Sequence, residues 1–441
     1  MNFRVVPIRR LAGECEVPGD KSISHRAALL GAIAEGPTEV QGYLEGEDCL
    51  RTLTAIQMMG AEVTRKGPGH YRIAGVGLDG LSEPGDIVDC GNSGTTARLL
   101  IGFVAGQPFW TLLTGDESLR RRPMKRVAEP LALMGSTIVG RSDGGRLPLA
   151  VRGASPRPRA IEYATPVASA QVKSAILLAG LRADGPVTVR EPAPSRDHSE
   201  VMLRAFGARV ERPDALTVRL HPGPLRGTAV QVPGDISSAA FLLVAGLVVP
   251  GARVTIRKVG VNPTRTGLLD VLAAMGAPVS AVPQGPSETN GGEPMAELTA
   301  GGGPLAGTTV AGPLIPRLID EIPALAVLAA TARGTTEVRD AAELRVKESD
   351  RIAMLARELA KMGVSVTERP DGMAIAGGQR FRGARVASAG DHRMAMALAV
   401  AGLVADGETL IEDTACVATS FPTFVDTVNA LAGGPAITVE A

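Results

Sequence analysis

Polar and apolar positions alternate along this chain on a long period. Six times a cluster of Lys, Arg, Ser, Asn, Asp or His runs into an apolar stretch rich in Ala and Leu. The stretches are His25-Arg26-Ala27-Ala28-Leu29-Leu30, Thr96-Ala97-Arg98-Leu99-Leu100, Ser174-Ala175-Ile176-Leu177-Leu178, Ser238-Ala239-Ala240-Phe241-Leu242-Leu243, Pro323-Ala324-Leu325-Ala326-Val327-Leu328 and Arg393-Met394-Ala395-Met396-Ala397-Leu398. Each predicts a helix entered through a polar cluster, where free N–H groups and a partial positive charge attract anions. A second mark recurs in step with the first. A helix end followed by glycine falls at Gly60, Gly135, Gly207, Gly276, Gly363 and Gly433. Glycine there is expected as the left-handed residue closing a helix, with a short Val- and Ile-rich strand after it. The glycines recur about every 70 residues, the fourth interval being stretched. Pro283 to Pro304, dense in Gly, Pro, Ser and Thr, accounts for that stretch and is expected to be an exposed insert between strands.

The six units group in threes. Val17-Pro18-Gly19-Asp20 is echoed by Val232-Pro233-Gly234-Asp235. Both read as extended chain that turns at glycine, and so as two crossings between two domains. One domain is expected to be discontinuous, residues 1–19 plus 235–441, and the other continuous, 20–234. The segment from Met1 to Asp20 reads as a strand carrying Arg9 and Arg10. The fold class predicted is α/β (α+β): two domains of three βαβαββ-type units each, helices packed inside, with a substrate cleft between the domains.

Composition narrows the function. Lys+Arg and Asp+Glu are 46 each, so no global basic field points to nucleic acid. Cys15, Cys49, Cys90 and Cys416 lie far apart with no Cys-x-x-Cys spacing, which speaks against zinc and against a disulfide framework and suits a reducing cytosol. No run of 18 apolar residues suggests a membrane span. Four of the few lysines, Lys21, Lys125, Lys173 and Lys347, stand in or beside the polar clusters.

The clusters differ in chemistry. In Asp20-Lys21-Ser22-Ile23-Ser24-His25-Arg26, a helix beginning near Ser22 would turn Ser22 and Arg26 to one side, with Lys21 at its mouth. Cys90-Gly91-Asn92-Ser93-Gly94-Thr95-Thr96 offers a small-residue loop where a ligand can approach the backbone, or a plain capped turn. It has neither a P-loop ending nor dinucleotide-fold spacing. In Arg120-Arg121-Arg122-Pro123-Met124-Lys125-Arg126, Pro123 at the first helical position would aim Arg122 at a helix mouth. Ala168-Ser169-Ala170-Gln171-Val172-Lys173-Ser174 brings hydroxyl, amide and ammonium donors to another helix start. Ile319-Asp320-Glu321-Ile322-Pro323 sets two carboxylates among apolar residues, where burial and cations could tune them apart, or where one only caps a helix. Arg345-Val346-Lys347-Glu348-Ser349-Asp350-Arg351 would place Lys347 and Arg351 on one helical face. Asp391-His392-Arg393 opens the last unit, its histidine lacking a suitably spaced partner for a metal. Core packing has no need of charge at one phase of a six-fold repeat; a ligand with several negative groups does.

Together these motifs resemble the 5-enolpyruvylshikimate-3-phosphate synthase family (3-phosphoshikimate 1-carboxyvinyltransferases). They stand in the family's order along essentially the whole chain, with features of its second bacterial class. The resemblance implies two domains closing over substrates. It also implies transfer of the enolpyruvyl group of phosphoenolpyruvate to the 5-hydroxyl of shikimate 3-phosphate, with release of phosphate and no metal or redox cofactor. Lys21, Ser22, Arg26, Ser169, Gln171, Arg196, Asp320 and Lys347 would hold shikimate 3-phosphate. Lys21, Gly94, Arg122, Gln171, Arg351 and Arg393 would surround phosphoenolpyruvate. Asp320 would take the 5-hydroxyl proton, and Glu348 and Lys21 would serve the methylene carbon and the leaving phosphate. No partner beyond the two substrates is implied, neither nucleic acid nor membrane, and a cytoplasmic monomer is expected.

Some positions depart from the family pattern. Thr419 stands where many members carry a lysine, Glu343 replaces an asparagine and Ala170 a serine. Gly94 is where alanine confers glyphosate tolerance in some members, so glycine implies sensitivity. Two other readings compete. UDP-N-acetylglucosamine enolpyruvyl transferases share the donor, but typically carry Lys-Asn at Lys21-Ser22 and a cysteine in the loop Gly115–Arg121. A non-catalytic polyanion-binding scaffold would explain the cations but not Asp320 or the pairing of Glu348 with Lys347.

Overall fold

The computed structural model describes residues 1–284 and 292–440. Among them are six small sheets, three built from strands of Gly19–Val232 and three from the remainder. Every sheet repeats one arrangement. A short edge strand pairs in parallel with the next, and two further strands continue antiparallel. In the second unit of the chain, Val88–Asp89 runs parallel to Trp110–Thr114, which pairs antiparallel with Arg146–Arg152 and through it with Thr137–Gly140. The chain order within that unit is strand, apolar helix, strand, the helices Glu117–Arg121 and Lys125–Leu133, and two strands joined by the single turn Arg141–Gly144, in outline the predicted βαβαββ unit.

Three of the sheets are closed by distant pieces of chain, one of them by Ala12–Glu16, which pairs in parallel with Arg253–Gly260. The first sheet takes its parallel edge from Leu225–Arg226 and Ala229–Gln231 against Ala34–Gln41. The last is completed by Asn2–Val5, which pairs with both Thr409–Glu412 and Ile437–Glu440. Contact density divides the chain into one unit of Met1–Pro18, Pro233–Gly285 and Pro294–Ala441, and another of Gly19–Val232 and Pro286–Glu293.

The six apolar runs are helices Lys21–Ala32, Gly94–Ala105, Ala170–Gly180, Ile236–Val248, Ile322–Thr331 and His392–Gly402. They are buried almost end to end, and each unit has one hydrophobic core assembled around its three helices. The second helix of each repeat is only partly buried, and the six glycines expected at their ends lie there. All of them, from Gly60 to Gly433, have positive φ. Close packing also fixes Gly102. A Cβ there would lie 2.4 Å from the backbone of Ala175 on the neighbouring helix.

Three expectations need correction. Met1 to Asp20 is not one strand but two, Asn2–Val5 and Ala12–Glu16, in different sheets, with Arg9 and Arg10 between them. The stretch Pro283–Pro304 is not simply an exposed insert. Pro283 and Gln284 end the strand Val279–Gln284, and Met295–Gly301 is an inner strand of the same sheet, with Ala296, Leu298 and Ala300 facing the core. That alternation sits inside a compositionally loop-like segment, where Gly and Pro outweighed it. The rest of that expectation, at 285–291, lies outside the described residues. Finally, Pro123 is not at a helix start: the helix begins at Lys125, after Met124 has bonded to the carbonyl of Gly145.

Gly102→Ala is expected to force two helices apart and lower the unfolding free energy by about 1–3 kcal/mol, the usual cost of overpacking. A urea midpoint unchanged from the parent protein would remove this contact from the account.

Candidate active site

Five of the six buried helices begin with a side chain that caps their own N–H groups. Asp20 accepts from Ile23, Ser93 from Thr96, Ser169 from Val172, Asp235 from Ser237 and Asp391 from Arg393. Glu321 precedes the sixth without such a bond. The expectation of six open helix ends for anions is therefore corrected: five of the ends have an N–H capped by a side chain of the protein itself, three of them by a carboxylate.

In the unit that includes Pro294–Ala441, the groups gather on Arg351. This guanidinium is the first residue of helix Arg351–Lys361 and is almost wholly buried. Its Nε donates to Asp391 Oδ2 at 2.8 Å and its Nη2 to Glu348 Oε2 at 2.6 Å, while Nη1 reaches Asp320 Oδ1 at 3.3 Å. Burial alone would lower its pKa; Asp391, Glu348 and Asp320 more than reverse this and hold it above the ordinary value. Asp320 Oδ1 also lies 3.7 Å from Lys347 Nζ and 3.9 Å from Arg393 Nε, so three cations surround one carboxylate oxygen. Arg393 Nη1 donates to the Asp320 carbonyl at 3.1 Å. Asp320 and Glu321 are thus separated in role. Glu321 is fully buried, accepts from Ser237 Oγ and lies 3.7 Å from Arg265, away from Asp320's partners.

Lys347 and Arg351 do not share a helical face as expected. Lys347 follows the 3-10 turn Ala342–Val346, and Asp350, accepting from Ala353 N–H, starts a new helix at Arg351. The two cations nevertheless meet at Asp320. Glu343 lies 3.5 Å from Lys347. Thr419 is buried, its hydroxyl donating to the carbonyl of Cys416 at 2.7 Å.

The other unit, Gly19–Val232, carries a second constellation. The first helix begins at Lys21, one residue earlier than expected. Lys21 Nζ is held by Asp48 at 3.0 Å. Arg26 is buried and donates to three uncharged oxygens: Ser199 Oγ at 2.7 Å, Ser174 Oγ at 2.7 Å and the carbonyl of Ser22 at 2.8 Å. Burial pushes its pKa down to about 10; Glu200 and Asp20 oppose this from a distance, and Arg196 adds to it. Burial likewise holds His25 well below the usual imidazole range, with Lys21 and Arg26 contributing.

Arg122 is folded onto Asn92, with Nη2 donating to Oδ1 at 2.6 Å and Nη1 to the carbonyl at 3.2 Å. Gly94 opens its helix beneath two guanidinium groups. A Cβ there would come within 2.8 Å of Arg98 Nη1 and 3.3 Å of Arg122 Nη1. Gln171 ties this region together, accepting from Arg98 Nη1 at 3.0 Å and donating to Thr95 Oγ1 at 3.2 Å. Glu191 links the starts of two segments, accepting from the Ser169 N–H at 3.0 Å and from Ser195 Oγ, next to Arg196 in the chain, at 2.9 Å.

Lys21, Ser22, Gly94, Arg122, Ser169, Gln171 and Arg196 therefore fall in one unit with Arg26, and Asp320, Lys347, Glu348, Arg351 and Arg393 in the other. Sequence reasoning missed Arg98, Asp48 and Glu191. Arg98 had a visible signal, a lone charge inside an apolar helical run; Asp48 and Glu191 did not, since only the fold brings them to Lys21 and Ser169. Among the described residues, no group of three His, Cys, Asp or Glu side chains is placed to hold a metal ion, and no helix is long and apolar enough to cross a membrane.

The profile of the family described as EPSP synthase (3-phosphoshikimate 1-carboxyvinyltransferase) matches residues 5–428. A protein of Desulforamulus reducens named 3-phosphoshikimate 1-carboxyvinyltransferase is 54% identical over 97% of this chain and 99% of its own length. The crystal structure of EPSP synthase from Acinetobacter baumannii superposes with a TM-score of 0.88 at 44% identity over the full length of both chains. The enolpyruvyl transferase NikO of Streptomyces tendae shares the fold, with a TM-score of 0.79 at 18% identity over 99% of this chain and 98% of that one.

Arg351→Met should strand Asp391, which is fully buried, without its cation. Breaking a buried pair in this way costs about 3–5 kcal/mol. Equilibrium unfolding in urea measures it, and a loss below 1 kcal/mol would mean that Asp391 finds compensation elsewhere.

Proposed function

The chain belongs to the EPSP synthase family, and on that premise we infer how its residues carry out the family's reaction. The chain is a transferase: it moves the enolpyruvyl group of phosphoenolpyruvate to the 5-hydroxyl of shikimate 3-phosphate and releases phosphate. Both substrates are small anions, and the chain is proposed to act on them as a cytoplasmic monomer. The observation that carries the residue assignment is the crowding of Lys347, Arg351 and Arg393 around Asp320 Oδ1. A carboxylate so placed can take a proton from a hydroxyl while the cations beside it hold the anionic substrate.

Shikimate 3-phosphate is assigned to Lys21, Ser22, Arg26, Ser169, Gln171, Arg196, Asp320 and Lys347. Arg26 supports this assignment because its buried charge meets only neutral oxygens in direct contact, an arrangement that favours an incoming anion. Phosphoenolpyruvate is assigned to Lys21, Gly94, Arg122, Gln171, Arg351 and Arg393. In the addition step, a proton goes to the methylene carbon of phosphoenolpyruvate as the 5-oxygen attacks the adjacent carbon and gives its proton to Asp320. In the elimination step, the new methyl group loses a proton, the double bond re-forms and phosphate leaves. Glu348, bonded to Arg351, and Lys21, bonded to Asp48, are the groups proposed for the carbon and phosphate protons. The groups are shared between the two units, so neither unit carries a complete set.

Phosphate release from phosphoenolpyruvate is expected with shikimate 3-phosphate as acceptor and not with UDP-N-acetylglucosamine; the reverse result would overturn the reading. Gly94→Ala should leave the fold intact, since the new methyl meets only the tips of two arginine side chains. It should raise KM for phosphoenolpyruvate about tenfold, as displaced donors do, and weaken inhibition by glyphosate. Unchanged values for both would take Gly94 out of the phosphoenolpyruvate site.

A further inference from the structure

Beneath the groups assigned to shikimate 3-phosphate lies a buried ionic cluster that the reaction does not use. Lys173, on the inner face of helix Ala170–Gly180, is bonded to Glu191 Oε2 at 2.7 Å and to Glu200 Oε1 at 2.8 Å. The exposures of the three side chains are 4%, 4% and 1%. Burial alone would lower the lysine's pKa; Glu200 and Glu191 more than reverse this, so it stays charged. With Arg26, whose charge Glu200 supports from beyond contact, the cluster balances two cations against two carboxylates.

A buried ion cluster of this kind commonly stabilises a fold no more than well-packed apolar residues would. Its contacts suggest a different use. Glu191 follows the strand Val187–Arg190 and spends its oxygens on three partners from two different pieces of chain. Oε1 accepts from the backbone N–H of Ser169, the residue that caps helix Ala170–Gly180. Oε2 takes Lys173 and also accepts from Ser195 Oγ at 2.9 Å, next to Arg196. On the far side of that loop, Arg212 Nη1 donates to Asp197 Oδ2 at 3.2 Å. One carboxylate thereby fixes both the backbone of Ser169, at the start of its helix, and the turn that presents Arg196.

We propose that Glu191, anchored by Lys173, is a positioning residue that sets the distance between Ser169 and Arg196 and so tunes affinity for the phosphate of shikimate 3-phosphate. This rests on the assignment of Ser169 and Arg196 to that substrate. Glu191 touches neither substrate. Its effect passes through two binding groups on separate elements, and phosphoenolpyruvate is not expected to sense it.

The test is Glu191→Gln in the full chain. The substitution keeps the shape and leaves Lys173 paired with Glu200, but it replaces the acceptor shared by Lys173 and Ser195 with an amide donor. The dissociation constant for shikimate 3-phosphate, measured calorimetrically without phosphoenolpyruvate, should rise about tenfold, the scale of loss expected from a misplaced binding group. KM for phosphoenolpyruvate should stay within twofold. Ser195→Ala, which removes one of the same bonds and no charge, should shift the same constant in the same direction, and decides the matter if Glu191→Gln does not fold. A merely structural role would lower the active fraction, and with it kcat, without moving the dissociation constant. An unchanged constant in a folded variant, or equal shifts for both substrates, would overturn the proposal. A parent protein that releases no phosphate with shikimate 3-phosphate would instead sink the functional reading itself.

Discussion

Six helices with no wet face impose the constraint on which the rest depends. Each must be apolar along its length to be buried, so its polar groups can gather only where it enters the core. The chain meets this by repeating one unit six times, each unit bringing a sheet to cover its helix. The charge that the six buried helices carry is then concentrated at their entrances, the rest of the chain's charge lying on exposed surfaces. The glycine at Gly102 shows how little room the helices leave each other, with backbone of Ala175 filling the space a methyl group would need.

Once concentrated, the charges are pinned by one another. Arg351 is locked by Asp391 and Glu348 and still reaches Asp320. Lys21 is held by Asp48, and Lys173 by two glutamates. Such pinning costs the fold some desolvation and gives back little net stability. Its return is preorganisation: donors are already aimed before an anionic substrate arrives, so less ordering is left for the binding step. Arg26 is the informative exception, a buried cation whose direct partners are a carbonyl and two hydroxyls. Helix dipoles contribute less than the repeat first suggests, since Asp20, Asp235 and Asp391 place carboxylates at three of the six entrances.

Much of this was legible in the sequence because the period is long and its marks are simple. The apolar runs and the glycines after the second helices gave the unit count, the βαβαββ order and the helices at the centre. The residues within each cluster were legible too, as Lys21 to Arg26 and Lys347 to Arg351 illustrate. What the sequence did not carry was direction. Whether Lys347 and Arg351 share a helix depends on Asp350 capping a new one, and their meeting at Asp320 depends on the tertiary fold. Glu191 stands more than twenty residues from Ser169 and shows no local pattern that announces their bond. Met295–Gly301 was hidden by its glycine- and proline-rich surroundings, although Ala296, Leu298 and Ala300 keep a strand's alternation.

The central claim is that Asp320 is the group whose chemistry the surrounding cations serve. Asp320→Asn keeps the size and a hydrogen-bonding side chain while removing the base. The direct measurement is kcat for phosphate release beside the dissociation constant for shikimate 3-phosphate, both on the same folded preparation. The account predicts a fall in kcat of about 10²–10⁴, the range for loss of a general base, with binding changed less than about threefold. A variant that turns over within tenfold of the parent, or one that loses binding as much as turnover, would contradict it.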